Sequence, residues 1–171
     1  MHFAENLAID LLKLRHDQMQ LNEHLKSGKY RKIPVHLAIG REAAAIGIAS
    51  MSSNTDVLCL THRNIAHNLS RTQSLTDTIS HLELCSSTPG LGETGSMNYA
   101  AFDFGIAYSS SILGNNLPVA AGISLNRQLL SEDSTIIALT GDGAIEEGVF
   151  WETLIFAKAN NLNLIIVIEN D

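Results

Sequence analysis

The chain has 171 residues, 45% hydrophobic and 17% charged, with a formal net charge of -7. That length suits one ordinary domain with a real core. The acidic balance lacks any basic patch and excludes nucleic acid as a partner, and no apolar run approaches the roughly 20 residues of a bilayer-spanning helix.

The first segment, MHFAENLAIDLLKLRHDQ, carries acidic residues and no small-residue cleavage site, so it is neither a signal nor a transit peptide and the expected location is cytoplasmic. It reads as a helix over residues 1–28. Leu7, Leu11, Leu14, Leu21 and Leu25 share one stripe, Gln18 interrupts it, and Gly28 is the expected stop. A basic stretch, Lys29 to Lys32, and Pro34 follow. The small residues from Glu42 to Met51 predict a closely packed helix. Asp56 to Leu60 reads as a short buried strand that ends at Thr61-His62-Arg63, and Ser74 to Leu84 as another helix.

The segment from Ser86 to Asn115, rich in Ser, Gly, Thr and Asn, is long for a structureless connection, and such segments are usually functional or mobile. Pro118 marks the start of a small-residue helix, LPVAAGISLNRQLL. Thr135 to Thr140 and Leu164 to Ile168 are continuous apolar strands, with a helix from Phe150 to Ala159 between them. Strands without polar alternation are buried on both faces, as in parallel sheets. Cys59 and Cys85 sit beside apolar neighbours without zinc spacing and read as core thiols.

Each of the two late strands ends in polar residues, Gly141-Asp142-Gly143 and Glu169-Asn170-Asp171. In a parallel pair both carboxyl ends lie on one edge of the sheet, the edge where open α/β sheets bind ligands. Oxygen donors converging there suit magnesium, which takes few protein ligands and completes its shell with phosphate oxygens and water. Glycines at 141 and 143 would let the backbone approach closely and turn sharply, and the following helix can receive an anion at its amino end. The result is a metal-bridged diphosphate site. G-D-G alone is most often a turn, and only its placement raises its weight. It fits neither the dinucleotide fingerprint nor a P-loop.

The blocks HLAIGREAAAIGIA, LTHRNIAHNL, GETGSMNY, SILGNNLPVAAGIS and GDGAIEEGVFWETLIFAKANNLNLIIVIEND occur in that order. From about Val35 to the last residue, the chain resembles the alpha subunit of the thiamine-diphosphate-dependent 2-oxo acid dehydrogenase decarboxylase component, of the pyruvate, acetoin or branched-chain type. The resemblance implies an α/β fold, a parallel sheet flanked by helices, with residues 1–171 forming a single, incomplete thiamine-diphosphate-binding domain. It implies thiamine diphosphate and magnesium as cofactors and oxidative decarboxylation of a 2-oxo acid with acyl transfer to a lipoyl partner.

Asp142 matches a magnesium ligand, and Gly141, Gly143, Ala144 and Asn170 match positions beside the cofactor. Asp171 stands where the family has a metal-binding asparagine, so it would coordinate magnesium while repelling the diphosphate. Arg63 matches the arginine that holds the diphosphate. His36 matches a histidine near the reacting end of the cofactor, and His62 stands where many members have tyrosine; both are expected catalytic residues. The backbone carbonyl of Leu113 matches the acceptor for the aminopyrimidine. Glu147 resembles a glutamate at the interface linking two active sites, and Asn98 replaces a family histidine. Taken singly, Arg63 also fits a surface arginine, the histidines fit structural roles, and Glu146 and Glu147 fit a helix dipole preference.

The partners implied are a beta subunit, which supplies the glutamate that engages the pyrimidine, and a lipoyl-bearing acyltransferase. The isolated chain is therefore expected to be inactive and to work in a heterotetramer. By the same resemblance the carboxyl end looks cut off at the metal site. Two other readings stand beside this one: the amino-terminal half of a transketolase-type enzyme, and a non-catalytic remnant that binds a beta-type partner.

Overall fold

A computed structural model describes residues 2–27, 34–88, 90 and 92–170. The expected stop at Gly28, the basic stretch Lys29 to Lys32 and Asp171 lie outside the described residues. The chain divides into two compact units, Met1–Ser53 with Arg63–Met97, and Asn54–His62 with Asn98–Asp171.

The first unit is helical. It holds α1 (His2–Lys26), α2 (Glu42–Met51), α3 (Ile65–Thr72) and α4 (Leu75–Leu82). The leucine stripe of α1 behaves as its spacing requires: Leu14 and Leu21 are buried against Ala45, Ile46, Ile65, Leu69 and Leu82, with Leu7, Leu11 and Leu25 packed at the margin. Gln18 is the informative exception. It is fully buried, donates from Nε2 to Glu42 Oε1 at 2.9 Å and accepts the Ala38 amide at 3.0 Å. Arg15 completes the cluster with a two-pronged contact to Glu42, 2.6 and 2.7 Å, and the amide of Gly40 donates to the same carboxylate at 3.0 Å. The Arg15 guanidinium holds the Glu42 carboxyl below the usual carboxylate range, although burial opposes the shift. Ser74 caps α4 by accepting the Asp77 amide. The helix predicted over 74–84 thus begins one residue later and closes at Leu82. Helix α3 is an addition to the sequence reading.

The second unit is a parallel four-stranded sheet in the order β2-β1-β3-β4, from β1 (Val57–Thr61), β2 (Ile106–Ser110), β3 (Ile136–Gly141) and β4 (Leu164–Glu169). The two helices α5 (Asn116–Leu129) and α6 (Gly148–Ala159) supply its layer. Val57, Cys59, Ile136 and Ala138 point to the face where Leu117, Ala120 and Phe150 pack, joined by the partly buried Leu164 and Ile166. The alternate residues Leu58, Leu60, Ile137 and Leu139 are buried as well. The continuous apolar runs of β1 and β3 are therefore buried on both faces. For β4 burial on both faces does not hold among the described residues, where it is an edge strand with Ile165 50% and Ile168 43% exposed. An apolar run alone cannot separate a central strand from an edge.

The long Ser/Gly-rich segment is structured for much of its length. It contains 3-10 turns at Ser96–Asn98 and Phe102–Phe104 and the edge strand β2. Gly105 turns the chain into β2 with a φ of +69°, and a Cβ there would lie 2.6 Å from the Asp56 carbonyl oxygen, so only glycine fits. No described helix is long and apolar enough to cross a membrane.

Candidate functional site

Because all the pairings are parallel, the strands deliver their carboxyl ends to one edge. β1 brings Thr61 and His62 there, β2 brings Ser110 and then Leu113, β3 brings Gly141 and Asp142, and β4 brings Glu169 and Asn170. The last pairing is direct, Gly141 opposite Glu169. The two polar strand ends inferred from the sequence are thus brought side by side as far as Gly141 and Glu169.

The sheet opens at this edge. The β1–β3 ladder covers Val57–Ile136, Leu58–Ile137 and Cys59–Ala138 and then stops. β1 runs on to Thr61 paired only with β2, and β3 runs on to Gly141 paired only with β4. The strand order reverses at this same place: from β1 the chain goes to β2 on one side, then crosses back to β3 on the other. A crevice at such a switch point is where open parallel sheets hold ligands.

The point where the strands part is filled by a side chain. Asn116, 2% exposed, donates from Nδ2 to Cys59 O at 3.1 Å and to Leu139 O at 2.6 Å. Its neighbour Asn115 accepts the Tyr108 hydroxyl at 2.5 Å. Gly114, at φ +70°, leaves room for Val149, whose Cγ1 would stand 2.8 Å from an added Cβ. The start of α5 is therefore fastened to β2, β1, β3 and the amino end of α6 by three consecutive residues. These residues carry no charge and do not stand out in the sequence. The available signal was an asparagine pair entering an otherwise apolar helix, where such side chains commonly seek main-chain partners.

Asp142 begins a 3-10 turn, Asp142–Glu146, that precedes α6. Its side chain is exposed, as is Gly143, while Ala144 is buried. Neither Gly141 nor Gly143 has a positive φ, which corrects the expectation that a sharp turn needs glycine there. The other reason for glycine stands: a Cβ built on either meets no atom within 4 Å. The backbone at both positions borders open space that a ligand oxygen can approach. Leu113 is 51% exposed, and Asn170 is exposed. Glu147 is the exposed residue before α6 and makes no side-chain cap. Thr140, the residue before Gly141, has a buried hydroxyl without a hydrogen-bond partner.

His36 and Arg63 belong to the helical unit. His36 is half-buried in the irregular segment before α2, and Arg63 is exposed just before α3. The other histidines read as structural: His24 pairs with Glu83 at 2.9 Å, His16 with Gln20 at 2.9 Å, and burial holds His81 below the ordinary imidazole range. Cys59 is a core thiol, pushed up to about 12 by burial, whereas Cys85 is only partly covered. Among the described residues no group of three or more His, Cys, Asp or Glu side chains is placed to hold a metal ion.

A parallel sheet split at its switch point, with an acidic turn on one lip and a helix start on the other, defines a protein of the open α/β class, with a crevice where such folds hold ligands. The family is more particular. Residues 13–171 match the family described as the dehydrogenase E1 component, and the chain belongs to it. It is similar to the acetoin:2,6-dichlorophenolindophenol oxidoreductase alpha subunits of Bacillus subtilis, 31% identical over 139 residues (80% of this chain and 41% of that protein), and of Cupriavidus necator, 32% over 140 residues with the same coverages. It is also similar to the mitochondrial pyruvate dehydrogenase E1 component subunit alpha of Saccharomyces cerevisiae, 29% identical over 163 residues, 95% of this chain and 38% of that protein. The chain thus spans about two fifths of the length of these relatives.

Proposed function

We propose that this chain is the diphosphate- and metal-binding part of an alpha subunit of a thiamine-diphosphate-dependent 2-oxo acid dehydrogenase, active in oxidative decarboxylation together with a beta subunit and a lipoyl-bearing acyltransferase. The observation that carries this reading is the split at the β1–β3 switch point with Asp142 on its lip. The family membership and the relatives named above support it.

The residues present fit the cofactor. Gly141 and Gly143 expose backbone with free space beside it, as a closely held phosphate requires. Asp142 is a hard oxygen donor with an exposed carboxylate. One or two carboxylates plus phosphate oxygens and water is the usual magnesium arrangement, so a three-carboxylate cage is not needed. Asp171 would be the second metal ligand and Asn170 a neighbour of the cofactor. Arg63 would hold the diphosphate through its planar fork.

The bound cofactor supplies an electron sink for the bond that breaks when carbon dioxide leaves. The chain's own contribution is placement. Asp142 would hold the metal ion whose charge offsets the diphosphate, and the Leu113 carbonyl would accept a hydrogen bond from the aminopyrimidine and fix its orientation. His36 and His62 would donate to or accept from the substrate at the reacting end. The pyrimidine-engaging glutamate is expected from the beta subunit, so the isolated chain should not turn over.

Calorimetry with thiamine diphosphate and magnesium, on the full chain with and without a beta subunit, tests the reading. Binding by the assembly, dye-linked oxidation of a 2-oxo acid, and loss of both in Asp142→Asn are expected. An assembly that binds neither cofactor, or an isolated chain that decarboxylates, would overturn it.

A further inference from the structure

We propose that Asn116 is a positioning residue, whose carboxamide holds β1 and β3 apart and so sets the crevice between Leu113 and Asp142. The wedge rests on geometry alone; its consequence for the cofactor rests on the reading above.

Where two strands of a parallel sheet separate, the carbonyls that would have continued the ladder lose their partners. Here the carbonyls at the point of separation lie in deep burial, Cys59 in the last β1–β3 pair and Leu139 just past it, 0% and 1% exposed. A buried carbonyl without a donor is costly. A lone strand separation should therefore close, or draw in water. Asn116 prevents both outcomes. A carboxamide nitrogen carries two N–H donors that diverge by a fixed angle, and here one nitrogen serves both carbonyls, at 3.1 and 2.6 Å. Two acceptors can share one nitrogen only if they stand apart, so the planar amide fixes the width of the gap. An apolar side chain cannot do this, and a carboxylate would set oxygen against oxygen.

The neighbouring residues extend the effect. Asn115 is tied to Tyr108 of β2, and Gly114 admits Val149 of α6. Leu113 directly precedes them and Leu139 lies three residues before Asp142, so the two positions assigned to opposite ends of the cofactor are set by bonds made through one tripeptide.

Hydrogen exchange followed by NMR on the full chain tests this without cofactor. In the wild type, the Asn116 side-chain amide protons should exchange at least about 100-fold more slowly than those of the exposed Asn54. In Asn116→Asp, which keeps shape but offers no donor, the main-chain amides of Leu113 and of Gly141 to Ala144 should exchange about 10-fold faster or more, with α1 and α2 unchanged. Magnesium–thiamine diphosphate affinity of the beta-containing assembly should fall about 10-fold with it. A folded Asn116→Asp protein with unchanged exchange at the crevice overturns the proposal. So does a wild type whose Asn116 amide exchanges as freely as that of Asn54, a measurement that decides the matter if the variant does not fold. A wild-type assembly that binds no cofactor overturns the functional reading instead, and the exchange result still judges the wedge.

Discussion

Replacing Gln18 by leucine separates two ways of reading α1. By its pattern, leucine at 18 completes the stripe of Leu14, Leu21 and Leu25 and ought to strengthen the helical unit. By its contacts it does the opposite. The substitution adds apolar burial worth about 1–2 kcal/mol. It also removes the acceptor of the Ala38 amide, 3.0 Å away, leaving a buried donor unpaired at a cost of about 1–3 kcal/mol. Glu42, 2% exposed, loses the donor at 2.9 Å, and a hydrogen bond to a charged acceptor contributes about 1.5–3 kcal/mol. The net expectation for Gln18→Leu is a loss of about 3 kcal/mol, read as the fall in unfolding free energy in a urea titration. Faster exchange of the Ala38 amide should accompany it. A variant as stable as wild type, or more so, with Ala38 still protected, would refute the reasoning and make the cluster incidental.

Four further outcomes follow from named contacts. Asp142→Asn should leave the thermal unfolding midpoint unchanged, because the side chain is exposed, while abolishing magnesium-dependent cofactor binding in calorimetry. Glu42 is held below its ordinary pKa chiefly by Arg15, so its stabilising effect is complete above about pH 4.3 and is lost as pH falls through the lower folded value; acid titration of unfolding free energy should show this slope, and Glu42→Gln should remove it. A thiol reagent at pH 8 should modify Cys85 well before Cys59, whose thiol is buried and titrates near about 12; equal rates would contradict the packing of β1. Gly114→Ala forces a left-handed backbone on alanine and a 2.8 Å approach to Val149, and should lower stability by about 1–3 kcal/mol in chemical denaturation.

The sequence made the central strands and most helices legible because their signals are local. The leucine spacing of α1, the small residues of α2 and the apolar runs of β1 and β3 each carry their own period. α3 is not legible because His67 and Asn68, both buried, occupy positions that look solvent-facing. β2 is not legible because IAYSS offers little apolar character, and its place depends on a neighbour, Leu58–Ile106, that is distant in sequence. The edge exposure of β4 is a matter of topology, which no run of isoleucines encodes. At the site, the meeting of Gly141 with Glu169 at the end of β4 followed from parallel geometry. The strand split and its asparagine did not, since a hydrogen bond from Asn116 to Leu139 exists only once the sheet is assembled.

The split gives β3 two mechanical regimes. From Ile136 to Ala138 it has a strand on either side; from Leu139 to Gly141 it has β4 alone. The half that leads to Asp142 therefore behaves as a free margin on its β1 side, braced there by one amide group instead of a ladder. A ligand seated across the crevice would act as the absent lateral support, and its binding should register as ordering of that half-strand: an unfavourable entropy in calorimetry and a rise in amide protection confined to residues 139–144.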